Sequence, residues 1–557
     1  MSLFDRVKVK TYKRTAFSLS HSIRTTLNIG EVVVTGCWEC VPGDTMKFGQ
    51  VATLELQPLI SPFYGELWQE SLAFFVSYDS LEMASDGGSF TELLKGVTDP
   101  QHDALPVPKW NMNKTDVDSN NVIKSTKIGT LWDKMGFPVN LTALDDDVTP
   151  IAYPQRAYNM IANEFILDEN LDTPVNLDDN NIITCCYKKD LFTSAFDSPQ
   201  KGTAPCLELT GTASAVWSND ILNELVGLIS NYREIRSGIS QGTGNKVAAE
   251  STTLQGTIAT GSSITNPDLK LNGSVSSYNS GTSQASDLGV KINQAFLDIL
   301  NDNHLNMSQI ITFNIDDLRL LNKLQLWLER NQIVGTRTKE YLLANYGIAP
   351  SDETLQRPVF LGRLRTPVKV TTTIAQSQTA TLPQGHKTGN GSSSQAVMFK
   401  KWHCKEPGLI MIVSFVRPKI SYSQGINRMW IKPSVYDYFN PIFENLGQQG
   451  IYNAEIYADG SSADKQIFGY TDRYNELKYI PDITCGELRA NQSLQSWSIS
   501  RHFAQLPTLS SAFLHVNPID YDYLFQVKIN TAPQIIGTYD NVVKGIRPLH
   551  RFAMPSL

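Results

Sequence analysis

The chain has 557 residues, of which 41% are hydrophobic, 10% aromatic and only 18% charged, and its formal net charge is −7. That length holds two to four ordinary domains or one large domain with long insertions, and the composition excludes global disorder. An acidic chain does not coat nucleic acid by bulk charge, and no run of about eighteen apolar residues is present to span a membrane.

The first 25 residues run against the overall charge. Arg6, Lys8, Lys10, Lys13, Arg14 and Arg24 are set against Asp5 alone. This stretch reads either as a solubilising, poorly ordered terminus or as a basic arm that meets phosphate. "MSLFDRVKVKTYKRTAFSLS" lacks the apolar core of a signal peptide.

"EVVVTGCWECV" comes next and reads as a strand ending at a Pro-Gly-Asp turn. Its Cys37 and Cys40 have the spacing of a zinc or redox pair. On a strand, however, residues three apart face opposite sides, so the thiols diverge. No second C-x-x-C or neighbouring His pair completes a tetrahedral set, which favours small packing residues. Seven scattered cysteines do not make a disulfide framework, and they suit a reducing cytoplasm.

Further strand-length runs are "ESLAFFVSYDS", "PVKVTTTIAQS", "GLIMIVSFVRP" and "YDYLFQVKIN", each rich in β-branched or aromatic residues and bounded by turn formers. Three helices are predicted between them. "SNDILNELVGLISNYREI" carries Ile221, Leu222, Leu225, Leu228, Ile229 and Tyr232 at helical spacing, with Ser218 or Asn219 as cap. "VKINQAFLDILNDN" is the second. Asn314 to Asn331 is the third, with Asp316 and Asp317 in its first turn and Leu318, Leu321, Leu324 and Leu328 on one stripe. Between the first two lies a polar, low-complexity tract from about Ser237 to Gly289. It buries little apolar area by itself. The β style resumes after it, which favours a projecting insertion in one domain over a linker between two.

Chemical motifs are weak. "GISQG", Gly238 to Gly242, matches G-x-S-x-G but opens the polar tract, where neither the strand nor the helix of a nucleophile elbow is found. The eight histidines show no ligand spacing, and the carboxylates are dispersed. The reading is therefore no catalytic residue, no cofactor and no metal site, although a carboxylate pair of a glycosidase need not be close in sequence.

After the strand "GLIMIVSFVRP" the chain enters "SYSQGINRMWIKPSVYDYFNP", an aromatic run with one Arg. Such a run stacks on a sugar or base, or contacts another subunit. The stretches "VPGDTMKF", "FFVSYDSL", "LWDKMGFP", "DLFTSAFDSPQKG", "SYSQGINRMW", "IFGYTDRYNELKY" and "RPLHRFAMPSL" together resemble the major capsid proteins of the Microviridae, and most of all the gokushovirus-like branch of these small icosahedral single-stranded DNA phages. The match runs nearly end to end and is poorest from about Pro205 to Met307.

The resemblance implies a mainly β fold, an eight-stranded antiparallel jelly roll with long loops, a few helices and a large projecting insertion. It implies a basic arm (1–25), a capsid domain in two parts (26–204 and 308–557) and a variable insertion (205–307). About sixty copies would close a T=1 shell around a circular single-stranded DNA genome, assembled in the host bacterial cytoplasm. Expected partners are a small basic DNA-binding protein, a DNA pilot protein, a scaffolding protein and a host surface receptor. Arg6, Lys8, Lys10, Lys13 and Arg14 are expected to face the genome. Tyr422, Gln424, Arg428, Trp430, Tyr470, Arg473 and Tyr474 are expected to fix loop shape and meet a neighbouring copy. Ser237, Gly242, Asn272, Tyr278 and Gly289 mark the expected surface projection. A carbohydrate-binding or carbohydrate-active β-sandwich is the competing expectation, distinguished by size in solution: particles or pentamers for a capsid, a glycan-binding monomer otherwise.

Overall fold

The computed structural model describes residues 14–85, 89–90, 93, 107–205, 315–378 and 383–551. The chain divides into two units, residues 1–204 with 325–557, and residues 205–324. The predicted helices at 218–235 and 290–303, the polar tract and "GISQG" lie outside the described residues.

Thirteen strands occur among the described residues. They are β1 (Thr15–Ser18), β2 (His21–Leu27), β3 (Val33–Cys40), β4 (Thr45–Leu56), β5 (Leu67–Ser77), β6 (Val359–Pro367), β7 (Lys369–Ile374), β8 (Lys387–Met398), β9 (Trp402–His403), β10 (Gly408–Pro418), β11 (Gln449–Tyr452), β12 (Ile467–Thr471) and β13 (Ile535–Arg547). One sheet runs β1-β13-β4-β8-β7, with β2 also on β13 and β9 also on β4. The other runs β3-β10-β5-β6, and β11 and β12 form a small third sheet. All the strand pairs are antiparallel. In the order β2-β13-β4-β8 against β3-β10-β5-β6, β2, β3, β4 and β5 alternate between the sheets, β5 and β6 pair within one, and β6, β8, β10 and β13 alternate again, as in a jelly roll.

The count differs from a plain eight, because the first sheet has seven strands. Its first strand is broken at Leu19 and Ser20, where the Ser20 hydroxyl instead of the backbone takes the Val543 N–H at 3.0 Å.

Strand β10 is buried along nearly its whole length. Ile410 and Ile412 point into a core with Met46, Phe48, Phe75 and Val543, while Leu409, Met411, Val413 and Phe415 point the other way. That second face is covered by helices α1 (Tyr78–Ser85) and α2 (Tyr153–Ile161), which both pack on β10. Burial on both faces is the reason that the strand reads as a nearly continuous apolar run, interrupted by Ser414 and Arg417. Helix α2 starts with Pro154 in its first turn. It is anchored by the Tyr158 hydroxyl, which donates to Val32 O at 2.9 Å and accepts from Ile183 N at 3.0 Å. The helix predicted from Asn314 is α3 (Ile315–Val334), followed by α4 (Thr338–Tyr346). Gly347, at φ +70°, closes α4 with its N–H on Leu343 O at 2.9 Å, a left-handed cap that suits glycine.

A belt of buried polar side chains joins the two sheets. The register of β3 and β10 shifts between Ile412 and Val413, which leaves Thr35 as an extra, bulged residue. Its hydroxyl shares a hydrogen bond with Ser414 (2.8 Å) and accepts one from Gln50 Nε2 (3.1 Å), and its carbonyl accepts from Asn541 Nδ2 (2.8 Å). Gln50 also donates to Asn541 Oδ1 at 3.0 Å. Ser414 shares a hydrogen bond with Ser71 at 2.8 Å, and Gln395 donates to Ser71 at 3.3 Å. Six strands thus meet through six buried polar side chains.

Two strand expectations are corrected. Tyr78 begins α1 instead of continuing β5. "YDYLFQVKIN" is not a strand: Asn517 caps a 3-10 helix, Pro518–Leu524, by accepting from Ile519 N, and Asp522 turns the chain by accepting from Ile529 N. Capping and a proline outweigh β propensity there. The last strand is β13, which the sequence reading did not include. The two cysteines of "CWEC" do lie on opposite faces of β3, Cys37 packing with one apolar cluster and Cys40 within the other.

Substituting Thr35→Val keeps the shape but strips the hydroxyl from the middle of the belt. Unpairing buried polar groups costs about 1–3 kcal/mol, so the unassembled chain should melt at a lower temperature. An unchanged melting temperature would show that the belt does not hold the sheets together.

Candidate functional site

Beyond Pro418 the chain leaves the sandwich and folds into capped turns. Asn427, Ser434 and Asn440 each start a short 3-10 turn: the two asparagine side chains accept from backbone N–H groups two residues on, and the Asp437 carboxylate accepts from both the N–H and the hydroxyl of Ser434. The turns surround a buried ionic hub. The Arg428 guanidinium lies 3.3 Å from both Asp437 Oδ1 and Glu455 Oε1, and 4.3 Å from the centre of the Tyr452 ring. Lys432 pairs with Glu476 at 3.2 Å and donates to Asp437 O at 2.8 Å. Gln449 donates to Glu476 at 2.8 Å.

Two cations and three carboxylates share this hub, so its proton balance matters. Burial pushes the Glu455 carboxyl up to about 7, against the pull of Arg428. Burial also opposes ionisation of Asp437 and Glu476, but hydrogen bonds from Ser434 and Gln449 and the nearby cations hold both below their ordinary values.

Outside the hub the same segment presents apolar surface to solvent. Trp430 is 78% exposed, Val435 82% and Ile442 80%, and Tyr436, Tyr438, Phe439 and Leu446 are exposed with them. Some of these rings brace one another: Tyr436 lies edge-on to Phe443 (5.6 Å) and Phe439 edge-on to Tyr474 (5.2 Å).

The expected site residues fall on both sides of this boundary. Tyr422 is buried, donates to Asp190 Oδ2 at 2.8 Å and stands edge-on to Phe192. Burial, with Asp190, pushes its hydroxyl pKa well up. Gln424 straps two loops together, donating to Phe503 O and accepting from Phe503 N, both at 2.8 Å. Arg428 is the centre of the hub. Tyr474 is buried at φ +60°, and its hydroxyl donates to Tyr438 O at 3.2 Å. Arg473 donates to Tyr436 O at 3.3 Å, and Tyr470 exchanges two 2.8 Å backbone hydrogen bonds with Phe196. These six residues shape the loops from within, and Trp430 alone of the seven lies mainly in solvent.

Of the basic arm, Arg14 is described and exposed; Arg6, Lys8, Lys10 and Lys13 lie outside the described residues, as do Ser237, Gly242, Asn272, Tyr278 and Gly289. A second basic group escaped the sequence reading. Buried Glu70 on β5 is approached by Arg363 (2.6 Å), Arg365 (3.4 Å) and Arg417 (3.8 Å), three guanidiniums on one carboxylate. The alternation "RLR" in β6 sets Arg363 and Arg365 on one face of the sheet, and only the strand register shows that Glu70 lies beside them.

Comparison with known proteins gives a consistent picture. Residues 5–557 match the family model described as "Capsid protein (F protein)". The capsid protein VP1 of Chlamydia phage 1 is 26% identical, over 100% of this chain and 97% of the relative. That of Bdellovibrio phage phiMH2K is 25% identical over 98% and 95%, and that of Spiroplasma virus 4 is 24% identical over 100% and 97%.

The hub generates a pH prediction. The folded-state value for Glu455 lies above its ordinary 4.5, so its stability contribution is complete below about 4.5 and is lost as pH rises through about 7. Relative to Glu455→Gln, which cannot ionise, the unassembled wild-type chain should lose on the order of 3 kcal/mol across that window. Thermal melts of both proteins against pH test this, and parallel profiles contradict it.

Proposed function

We infer the roles of the surfaces from one premise: the chain belongs to the capsid protein (F protein) family and is a major capsid protein of the Microviridae type, forming the virion shell. The family is structural, so the work of the chain is assembly. We propose that about sixty copies close a T=1 icosahedral shell around a circular single-stranded DNA genome, and that assembly takes place in the host bacterial cytoplasm.

The observation that carries the assembly reading is the apolar patch around Trp430. Scattered exposed apolar residues need no explanation, but a contiguous group on one loop marks a contact surface. Aromatic residues anchor such contacts. A buried Trp removes about 150–250 Å² from water, worth roughly 4–6 kcal/mol at about 25 cal/mol per Å². The buried hub beneath holds the patch in shape before a neighbour arrives, which lowers the ordering cost of association. In this reading Tyr422, Gln424, Arg428, Tyr470, Arg473 and Tyr474 act indirectly, by fixing the surface that Trp430 and its neighbours present.

Charge then constrains packaging. At −7 per chain, a shell of about sixty copies carries roughly −420, the same sign as DNA. Genome contact is therefore local, through Arg6, Lys8, Lys10, Lys13 and Arg14, with a small basic DNA-binding protein supplying further charge. A DNA pilot protein and a scaffolding protein complete the proposed set of partners. The segment 205–307, with its polar tract, is the candidate for contact with a host surface receptor, because a tract poor in apolar residues varies at little cost to a core; deleting 237–289 should leave shells intact and abolish adsorption, and unchanged adsorption removes the receptor role.

Trp430→Ala should leave the stability of the unassembled chain within about 0.5 kcal/mol while preventing particles from forming, read by sedimentation and negative-stain microscopy. Normal particles would take the patch out of the assembly contact. Reversing Lys8, Lys10 and Lys13 to Glu should give shells of normal size with reduced DNA content. Full DNA content in such shells would exclude the arm from packaging.

A further inference from the structure

Three side chains far apart in sequence converge beside the sandwich: Asp172, Cys186 and His515. Cys186 and His515 are held opposite each other by an antiparallel bridge, with Tyr187 N on Leu514 O (2.8 Å) and Val516 N on Cys185 O (2.9 Å). Asp172 closes a turn in which its Oδ2 accepts from Asp168 N at 2.6 Å. His515 Nε2 lies 2.9 Å from Asp172 Oδ2 and 3.7 Å from Cys186 Sγ, and the thiol is 4.0 Å from the same carboxylate oxygen.

The hydrogen bonding sets the chemistry. His515 Nδ1 lies 2.7 Å from the carbonyl oxygen of Thr184. A carbonyl only accepts, so Nδ1 carries a proton and Nε2 is the nitrogen left for another partner. In neutral imidazole that nitrogen offers a lone pair, and here it faces the lone pairs of a carboxylate and a sulfur. Without an ion, protons hold this small triangle together, and only weakly at the sulfur, whose S–H reaches Asp172 Oδ2 at 4.0 Å. A single proton on Nε2 satisfies the edge to Asp172 and leaves the sulfur without a strong partner. The Asp172 side chain is 4% exposed and its second oxygen, Oδ1, is buried; the Ser511 hydroxyl stands near enough to help hold the carboxyl below its ordinary pKa.

We propose that Asp172, Cys186 and His515 bind a divalent transition-metal ion of the zinc class. One nitrogen, one sulfur and one oxygen are the donor types that zinc takes. Bond lengths of about 2.0–2.3 Å in tetrahedral geometry place neighbouring donors roughly 3.3–3.6 Å apart, so the observed separations need only small movements. A thiolate ligand disfavours calcium and magnesium. The fourth position goes to Asp172 Oδ1 or to water. Binding displaces the proton on Nε2 and the thiol proton. The ion with one carboxylate, one thiolate and one neutral imidazole is then electrically neutral, as a half-buried site requires. Thr184 orients the histidine from behind, as outer partners of metal ligands usually do. The ion would fasten the Asp168–Asp172 turn to the bridge between 185–187 and 514–516, two segments that cover the sandwich.

The competing state is a metal-free ion pair. Burial lowers the His515 pKa, but Asp172 and Cys186 outweigh it and push it up to about 10, so a protonated imidazole beside a carboxylate is self-consistent too. Untagged full-length chain, loaded with one equivalent of zinc and freed of excess by gel filtration, should retain about one ion per chain. Retention should fall about tenfold or more in Cys186→Ser and in Asp172→Asn, but not in Cys485→Ser, a control at an exposed cysteine. Loading wild type with cobalt(II) should produce a thiolate-to-metal charge-transfer band that Cys186→Ser lacks. The cobalt measurement on wild type needs no variant to fold. Zinc below a tenth of an ion per chain with no cobalt band, or equal binding in wild type and Cys186→Ser, would leave the ion pair in place and overturn the metal site.

Discussion

Strand β10 is apolar on both faces, and this one demand shapes much of the molecule. The facing sheet can cover only one side of it. The other side, with Leu409, Met411, Val413 and Phe415, needs cover from elsewhere, and long excursions from the sandwich provide it. Part of that cover, α1 and α2, comes from the excursion between β5 and β6. A sandwich with ordinary hairpin loops would leave this apolar face in water, so here the long loops are part of the core. The polar belt through Thr35, Gln50, Ser71, Ser414, Gln395 and Asn541 complements this arrangement. Apolar contacts tolerate sliding, whereas a chain of buried hydrogen bonds is satisfied in one register only.

The same logic continues outward. A loop segment that leaves the sandwich at Pro418 must satisfy its own backbone, and it does so with asparagine and serine caps and with the Arg428 hub. Its rings then divide into two sets. Tyr422, Tyr452 and Tyr474 serve the interior, and Trp430, Tyr436 and Tyr438 are left outside. In a protein that worked alone the outer set would be an aggregation liability. In a shell protein it is the surface proposed for contact with the next copy.

The sequence was most legible where burial is simple. "GLIMIVSFVRP" coincides with β10 because a mainly apolar, strand-length run is bounded by Gly408 and Pro418. "EVVVTGCWECV" contains β3, and Asn314–Asn331 overlaps α3 closely. The resemblance to the capsid family, drawn from motifs in order, agrees with the family match over residues 5–557. Strand β13 went unread because "IIGTYDNVVKGIR" carries Gly537, Asp540, Asn541 and Gly545. In isolation these are turn formers, and their tolerance here comes from pairing with β4 along the whole strand. The opposite error at "YDYLFQVKIN" came from judging the aromatic residues without Asn517 and Pro518 before them. For the aromatic run, composition identified a contact-rich loop but could not sort inward from outward rings, because no periodicity governs capped turns. The group Asp172, Cys186 and His515 was beyond reach for another reason: its members are up to 343 residues apart, and only the folded bridge between their segments brings them together.

We propose that neighbouring copies meet at the surface around Trp430, held ready by the buried hub beside it. Electron cryomicroscopy of the assembled particle tests it directly. Trp430, Tyr436 and Ile442 should be buried against an adjacent copy while Arg428 keeps both Asp437 and Glu455. Density showing Trp430 open to solvent at every subunit, inside or outside the shell, would contradict it.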